Sequence, residues 1–173
     1  MSAHADLKDF AERTRKNLTV IEALAKTHLG QKHSEGVFEV TQLVNSLLGL
    51  LVFPQQEFFD KLPETKLADM GEPVWKNLNV GIWDRYKWVG RGSKRTKTGV
   101  MLDKTFKNLA ICLRNGIAHC NVELEADVKG DICTIRIWNT PDENNPSDKD
   151  FEIAMDVETM RAIAVSFIDQ LKK

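Results

Sequence analysis

Val100–His119 reads VMLDKTFKNLAICLRNGIAH, and the fold of the chain turns on this stretch. Leu102, Phe106, Leu109, Leu113 and Ile117 recur at three- and four-residue steps, which predicts a helix over about 100–118 with one buried stripe. Such a stripe needs apolar partners, and two upstream segments supply them. From about Asp6 to Leu29, the residues Leu7, Phe10, Ala11, Thr14, Leu18, Ile21 and Ala25 repeat the same spacing. Gly30 is a natural stop, and the polar run GQKHSEG (30–36) reads as a loop. From about Phe38 to Phe53 the chain is apolar on nearly every side before Pro54 ends it, the pattern of a central bundle helix. Asn45 is a polar exception there. A buried amide must be hydrogen-bonded, so Asn45 is expected to bridge to a neighbouring helix or to support a site from behind.

Beyond His119 the apolar period changes from 3.6 to 2. Val122, Leu124, Ala126 and Val128 alternate with polar residues, Lys129-Gly130-Asp131 forms a turn, and Cys133, Ile135 and Ile137 alternate again. The polar loop NTPDENNPSDKD leads to a third strand whose Phe151, Ile153 and Met155 face inward. Asp156 is placed to cap a last helix with Val157, Met160, Ala164, Phe167 and Leu171 on its apolar face. Residues 55–99 are weakly patterned, with short helical turns expected around Phe58–Leu62 and Val74–Leu78. The expected fold is mainly α: a bundle of three or four long helices with a small antiparallel β-meander inserted over about 121–155, before the last helix. All of it forms one domain over 1–173.

At 173 residues and 42% hydrophobic, the chain can build a core without a disulfide or metal staple. A net charge of -1 gives no whole-chain preference for acidic or basic partners, so any such preference must be local. Cys112, Cys120 and Cys133 make an odd set without a CxxC pair, which argues against a disulfide framework and fits a reducing, cytoplasmic setting. The polar N-terminal run carries both charge signs and does not read as a signal peptide, and the longest apolar run, Leu47–Phe53, is too short to cross a bilayer. No membrane association is expected. His28 and His33 lack a carboxylate or cysteine at ligand spacing, so neither a metal nor a cofactor is expected.

The one local charge concentration is a basic-aromatic loop over about 83–99. It holds Arg85, Lys87, Arg91, Lys94, Arg95 and Lys97 among Trp83, Tyr86 and Trp88. Arg91, Lys94, Arg95, Lys97 and Trp88 are candidate RNA contacts, cations for phosphate and a ring for an unpaired base. The plainer alternative is a solvated loop whose rings tuck into the core. GRGSKRTKTG lacks the GxxxxGK[ST] spacing of a phosphate loop.

Arg114 and His119 close the core helix as RNGIAH (114–119). An arginine fork matches two phosphate oxygens, and a histidine moves protons near neutral pH. Together they suit metal-free cleavage of an RNA phosphodiester: the histidine takes or gives the proton, and the arginine offsets developing charge. Spacing sets a limit. At about 100° per residue, Asn115 and His119 stack, whereas Arg114 and His119 differ by about 140°. Either the helix loosens near Gly116, or the arginine reaches across, or a second subunit completes the site. One histidine also supplies only one proton-handling group, and a two-fold dimer would supply two.

RNGIAH resembles the R-polar-x-x-x-H signature of HEPN proteins. The segment FEVTQLVNSLLGLLVFP (38–54) is similar to the second helix of a small HEPN branch found on plasmids and in defence regions. The resemblance implies a helical bundle, a homodimer with a composite cleft, and metal-independent endoribonuclease activity in a toxin or defence role, with an antitoxin as a further partner. It implies that Arg114 and His119 are catalytic and that Asn115 orients His119. The rival from another class is a silent HEPN-like module that binds nucleotide or RNA, or scaffolds a partner. Cys112 reads as core, Cys120 as the start of a strand, and Glu123 and Glu125 as solvated strand carboxylates.

Overall fold

A computed structural model of the protein describes residues 3–27, 39–52, 62–71, 73–76, 78–89, 96–128, 132–141 and 147–171. Helix α1 spans Ala3–Ala25 and α2 Glu39–Val52. A 3-10 turn at Leu67–Asp69 and the single-turn helix α3, Pro73–Lys76, lead to three strands: β1 (Val80–Trp83), β2 (Tyr86–Val89) and β3 (Thr96–Met101). Helix α4, Phe106–Ala118, is followed by β4 (Val122–Ala126), β5 (Ile132–Asn139), β6 (Phe151–Asp156) and helix α5, Val157–Leu171.

The architecture is mixed α/β, not the mainly α bundle that the periodicities predict. An antiparallel sheet in the order β1-β6-β5-β4 is a structural layer of the domain, and β2 pairs with β3 in a second ladder. Three of the four sheet strands stand where alternation in sequence predicts them, but β4 is not half-buried as expected, since Leu124, Ala126 and Val128 are exposed. The fourth, β1, has no alternating burial; it joins by pairing Val80 with Ile153 and Trp83 with Phe151 across a bulge. A four-residue strand at a sheet edge is stabilised by its neighbour's backbone, which leaves little periodic signal. The sheet is also no appendage. Ile135, Ile137, Phe151 and Ile153 are completely buried, and α4 and α5 lie against β5.

The long helices bury the faces that their spacing predicts. Helix α1 contacts α2 and α5, and α2 contacts α4 and α5. Leu47 and Leu50 on α2, Leu109 and Leu113 on α4, and Met160 and Phe167 on α5 form the centre of the core. Each such side chain contributes about 1.5–3 kcal/mol by leaving water. Phe106 stacks on Phe167 at 5.6 Å between ring centroids and meets Trp75 edge-on at 5.5 Å. This aromatic cluster ties α3 and α5 to the start of α4.

Several expectations shift. Helix α4 begins at Phe106, not near Val100, because Thr105 caps it by accepting the Asn108 amide at 3.2 Å, and the preceding Thr96–Met101 is strand β3. Asn45 is exposed on α2, so it does not bridge to a neighbour as a buried amide. Ser46 is the buried polar residue there, and its Oγ accepts from Gln42 Nε2 at 3.4 Å. Asp156 caps α5 as predicted, accepting the Thr159 amide at 2.7 Å. The turn at Phe58–Leu62, apart from Leu62, and the turns at 30–36 and 129–131 lie outside the described residues.

Candidate active site

The RNGIAH segment sits where α4 meets the sheet. Gly116 is buried against β5, and a Cβ there would approach Ile137 Cγ2 to 2.5 Å and the Trp138 carbonyl to 2.8 Å. Only glycine allows this contact, so it sets how closely α4 lies on the sheet. Just beneath, Asn139 Nδ2 donates to the Cys112 carbonyl at 2.9 Å in a fully buried bond. Sheet and helix are therefore joined on both sides of Arg114.

The helix does not loosen at Gly116. It continues to Ala118 and ends with His119 as its C-cap, at φ -94° and ψ 10°. Cys120 follows in the left-handed region at φ 57°, the one non-glycine residue with positive φ among the described residues. Its amide donates to the Ile117 carbonyl at 3.0 Å, and the Asn121 amide to the Gly116 carbonyl at 2.8 Å. These paired bonds form a Schellman motif, which usually places glycine where Cys120 stands. Cys120 is thus a cap residue, not the start of a strand. Asn121 then accepts the Trp138 amide at 3.2 Å and hands the chain to β4.

Arg114 and His119 are both exposed, and Asn115 is half-buried between them in sequence. Arg114 Nη1 donates to Asn115 Oδ1 at 2.9 Å. Asn115 meets His119 through the backbone, its carbonyl accepting the His119 amide at 3.0 Å. The side chain of Asn115 thus meets Arg114 and its backbone carbonyl meets His119. Two surface cavities, one floored by Trp75 and one beside Arg161, lie elsewhere; neither is lined by Arg114 or His119.

Of the predicted RNA contacts, Arg91, Lys94 and Arg95 lie outside the described residues. Trp88 and Lys97 are register partners on the β2–β3 ladder. Arg85, read as part of the same basic run, is instead half-buried and bonded to Asp150 at 2.9 Å. Burial pushes the Asp150 carboxyl up despite this arginine, and its Oδ1 has no hydrogen-bond partner among the described residues. Burial likewise pushes the Cys112 thiol up to about 12, which leaves it an uncharged core residue. Asn139 and Asp150 are polar supports of the site that sequence reading missed. One signal existed: Asn139 continues the inward parity of Ile135 and Ile137.

Glu123 and Glu125 are exposed and ion-paired with Arg136, as solvated carboxylates should be. Among the described residues, no three His, Cys, Asp or Glu side chains converge as a metal site, and no helix is long and apolar enough to cross a membrane.

An exposed Arg-Asn-x-x-x-His run closing the core helix of a helix-rich domain marks the HEPN class. The family model HEPN pEK499 p136 matches residues 1–173, and the chain belongs to that family. No curated protein and no solved structure matched the chain. HEPN domains are often RNA-related and dimeric.

Proposed function

We propose that the protein is a metal-independent endoribonuclease of HEPN type, acting as a homodimer in a toxin or nucleic-acid-defence role. One observation carries this reading. Arg114 and His119 stand exposed at the end of a helix whose opposite face is buried, where the Gly116 contact and the Cys120 cap hold the backbone on either side of His119. The 2′-hydroxyl of the substrate would attack the adjacent phosphorus, with His119 of one subunit or its copy taking that proton and the other protonating the departing 5′ oxygen. Arg114, steadied by Asn115, would hold the phosphate and offset its growing charge. In this reading two copies complete the site, because one chain offers a single histidine in this run.

The test is cleavage of a mixed single-stranded RNA pool in the presence of chelator. Wild type is expected to cleave, and His119→Ala to lose about 100-fold or more of the rate. If wild type and His119→Ala are equally inert while both still bind RNA, the silent binding module replaces the enzyme.

A further inference from the structure

A cavity of about 480 Å³ lies at the opposite end of α4 from RNGIAH. Its apolar lining is Leu67, Ala68, Trp75, Leu78 and Val80, and its charged lining is Lys66, Asp103 and Lys104. Lys66 pairs with Asp103 at 3.6 Å, whereas no carboxylate among the described residues pairs with Lys104, which is exposed. An apolar slot with a cation at its lip matches a flat heterocycle attached to a phosphate.

The helix between the cavity and the motif extends the same chemistry. From Lys104 to Val122 the chain has no Asp or Glu but carries Lys104, Lys107, Arg114 and His119. The residues of α4 that are not fully buried are Lys107, Asn108, Ile111, Arg114, Asn115 and Ala118, which recur at three- and four-residue steps. They form one solvent-facing strip, beginning beside Lys104 and ending at His119. Lys107 also contacts Glu64 at 3.1 Å, so Lys104 and Arg114 are the cations that anchor the two ends. The strip is about 18 Å long, about five nucleotides of stacked strand.

We infer that this strip is the track of the RNA strand, with an unpaired base in the Trp75 cavity and its phosphate on Lys104. The inference rests on the ribonuclease reading for the polarity of the track but not for the binding itself. The cavity therefore selects single-stranded RNA that is long enough to reach from Lys104 to Arg114.

Binding of a labelled 12-nucleotide single-stranded RNA to full-length His119→Ala protein tests this without cleavage. Lys104→Glu is expected to weaken binding about tenfold and to reduce the salt slope by about 0.7, the loss of one phosphate contact. Ala68→Phe, at an exposed position lining the cavity, is expected to weaken binding of the 12-mer but not of an abasic strand of equal length. Lys16→Glu, exposed on α1, serves as the charge control. Both cavity substitutions are at the surface, and circular dichroism confirms that the variants are folded. If Lys104→Glu and Ala68→Phe bind like the Lys16→Glu control, the track is wrong, even if cleavage is real. If binding depends on both residues while wild type never cleaves, the track stands and the nuclease reading falls.

Discussion

Gly116 lies so close to Ile137 that a Cβ on the glycine would come within 2.5 Å of the isoleucine Cγ2 methyl. That contact decides where the end of α4, and with it Arg114 and His119, sits on the sheet. Two effects oppose each other in Gly116→Ala. Helix propensity favours alanine by about 1 kcal/mol. Overpacking in a closed contact costs about 1–3 kcal/mol, and here the second neighbour is the Trp138 backbone carbonyl, which cannot rotate away. Net destabilisation of up to about 2 kcal/mol is expected in urea unfolding. A more stable variant would show that the helix–sheet contact is loose.

Cys120 holds a left-handed conformation at φ 57° with a side chain that disfavours it. Cys120→Gly removes the Cβ penalty and keeps both cap hydrogen bonds, so a gain of about 0.5–1 kcal/mol is expected. Cys120→Val should lose stability by a similar amount or more, since branching at Cβ worsens the clash. Unfolding midpoints of the two variants on either side of wild type would establish the strain.

Arg85 is the ionic partner of a buried carboxylate. Arg85→Met strands Asp150, one of whose oxygens has no partner among the described residues, and about 3 kcal/mol of stability should be lost at neutral pH. The pH dependence has a definite sign. Burial raises the folded Asp150 carboxyl above its ordinary value of 3.8, so the folded state favours the protonated form. That contribution is complete below 3.8 and is lost as pH rises through the folded value. The deficit of Arg85→Met should therefore shrink on acidification, as the stranded carboxylate takes up a proton. Urea titrations at several pH values measure it, and a constant deficit would argue against a buried charge.

Asp156 behaves oppositely. The Thr159 amide, which donates to its carboxylate, holds this group below its ordinary value. Its capping contribution is present above the unfolded value and disappears as pH falls through the lowered folded one. Asp156→Ala should cost about 1 kcal/mol at neutral pH and progressively less in acid. A pH-independent loss would assign the effect to something other than the cap.

A site shared between two chains makes activity sensitive to subunit mixing. An excess of His119→Ala protein, allowed to exchange with wild type, should draw wild-type chains into mixed dimers that lack one proton carrier. At about a 100-fold excess, cleavage per wild-type chain should then fall by about 100-fold, since few wild-type chains still pair with one another. Unchanged activity after exchange would mean that one chain carries a complete site.

The helices were legible because their apolar stripes repeat at a period that survives any tertiary arrangement. Phe106, Leu109, Leu113 and Ile117 face the core as their spacing requires, and Phe151, Ile153 and Met155 alternate inward on β6. Strand β1 was not legible, because it is held by its neighbour's backbone and by edge contacts such as that between Trp83 and Phe151 at 5.7 Å. Arg85 was misread for a related reason. It opens a run rich in basic residues, but its ionic partner in space is Asp150, 65 positions away.

By itself the sequence determined the long helices, three strands of the sheet and the RNGIAH run with its phosphate-suited chemistry, since each rests on local spacing or residue type. Only the tertiary structure decided that the sheet is a core layer, that Asn45 faces solvent and that Asn115 holds Arg114. It alone showed why the motif contains a glycine: the residue that requires it, Ile137, is supplied by another element 21 positions along the chain. Contacts of that kind leave no periodic trace, because pairing across a fold depends on where elements meet and not on the order of residues within either one.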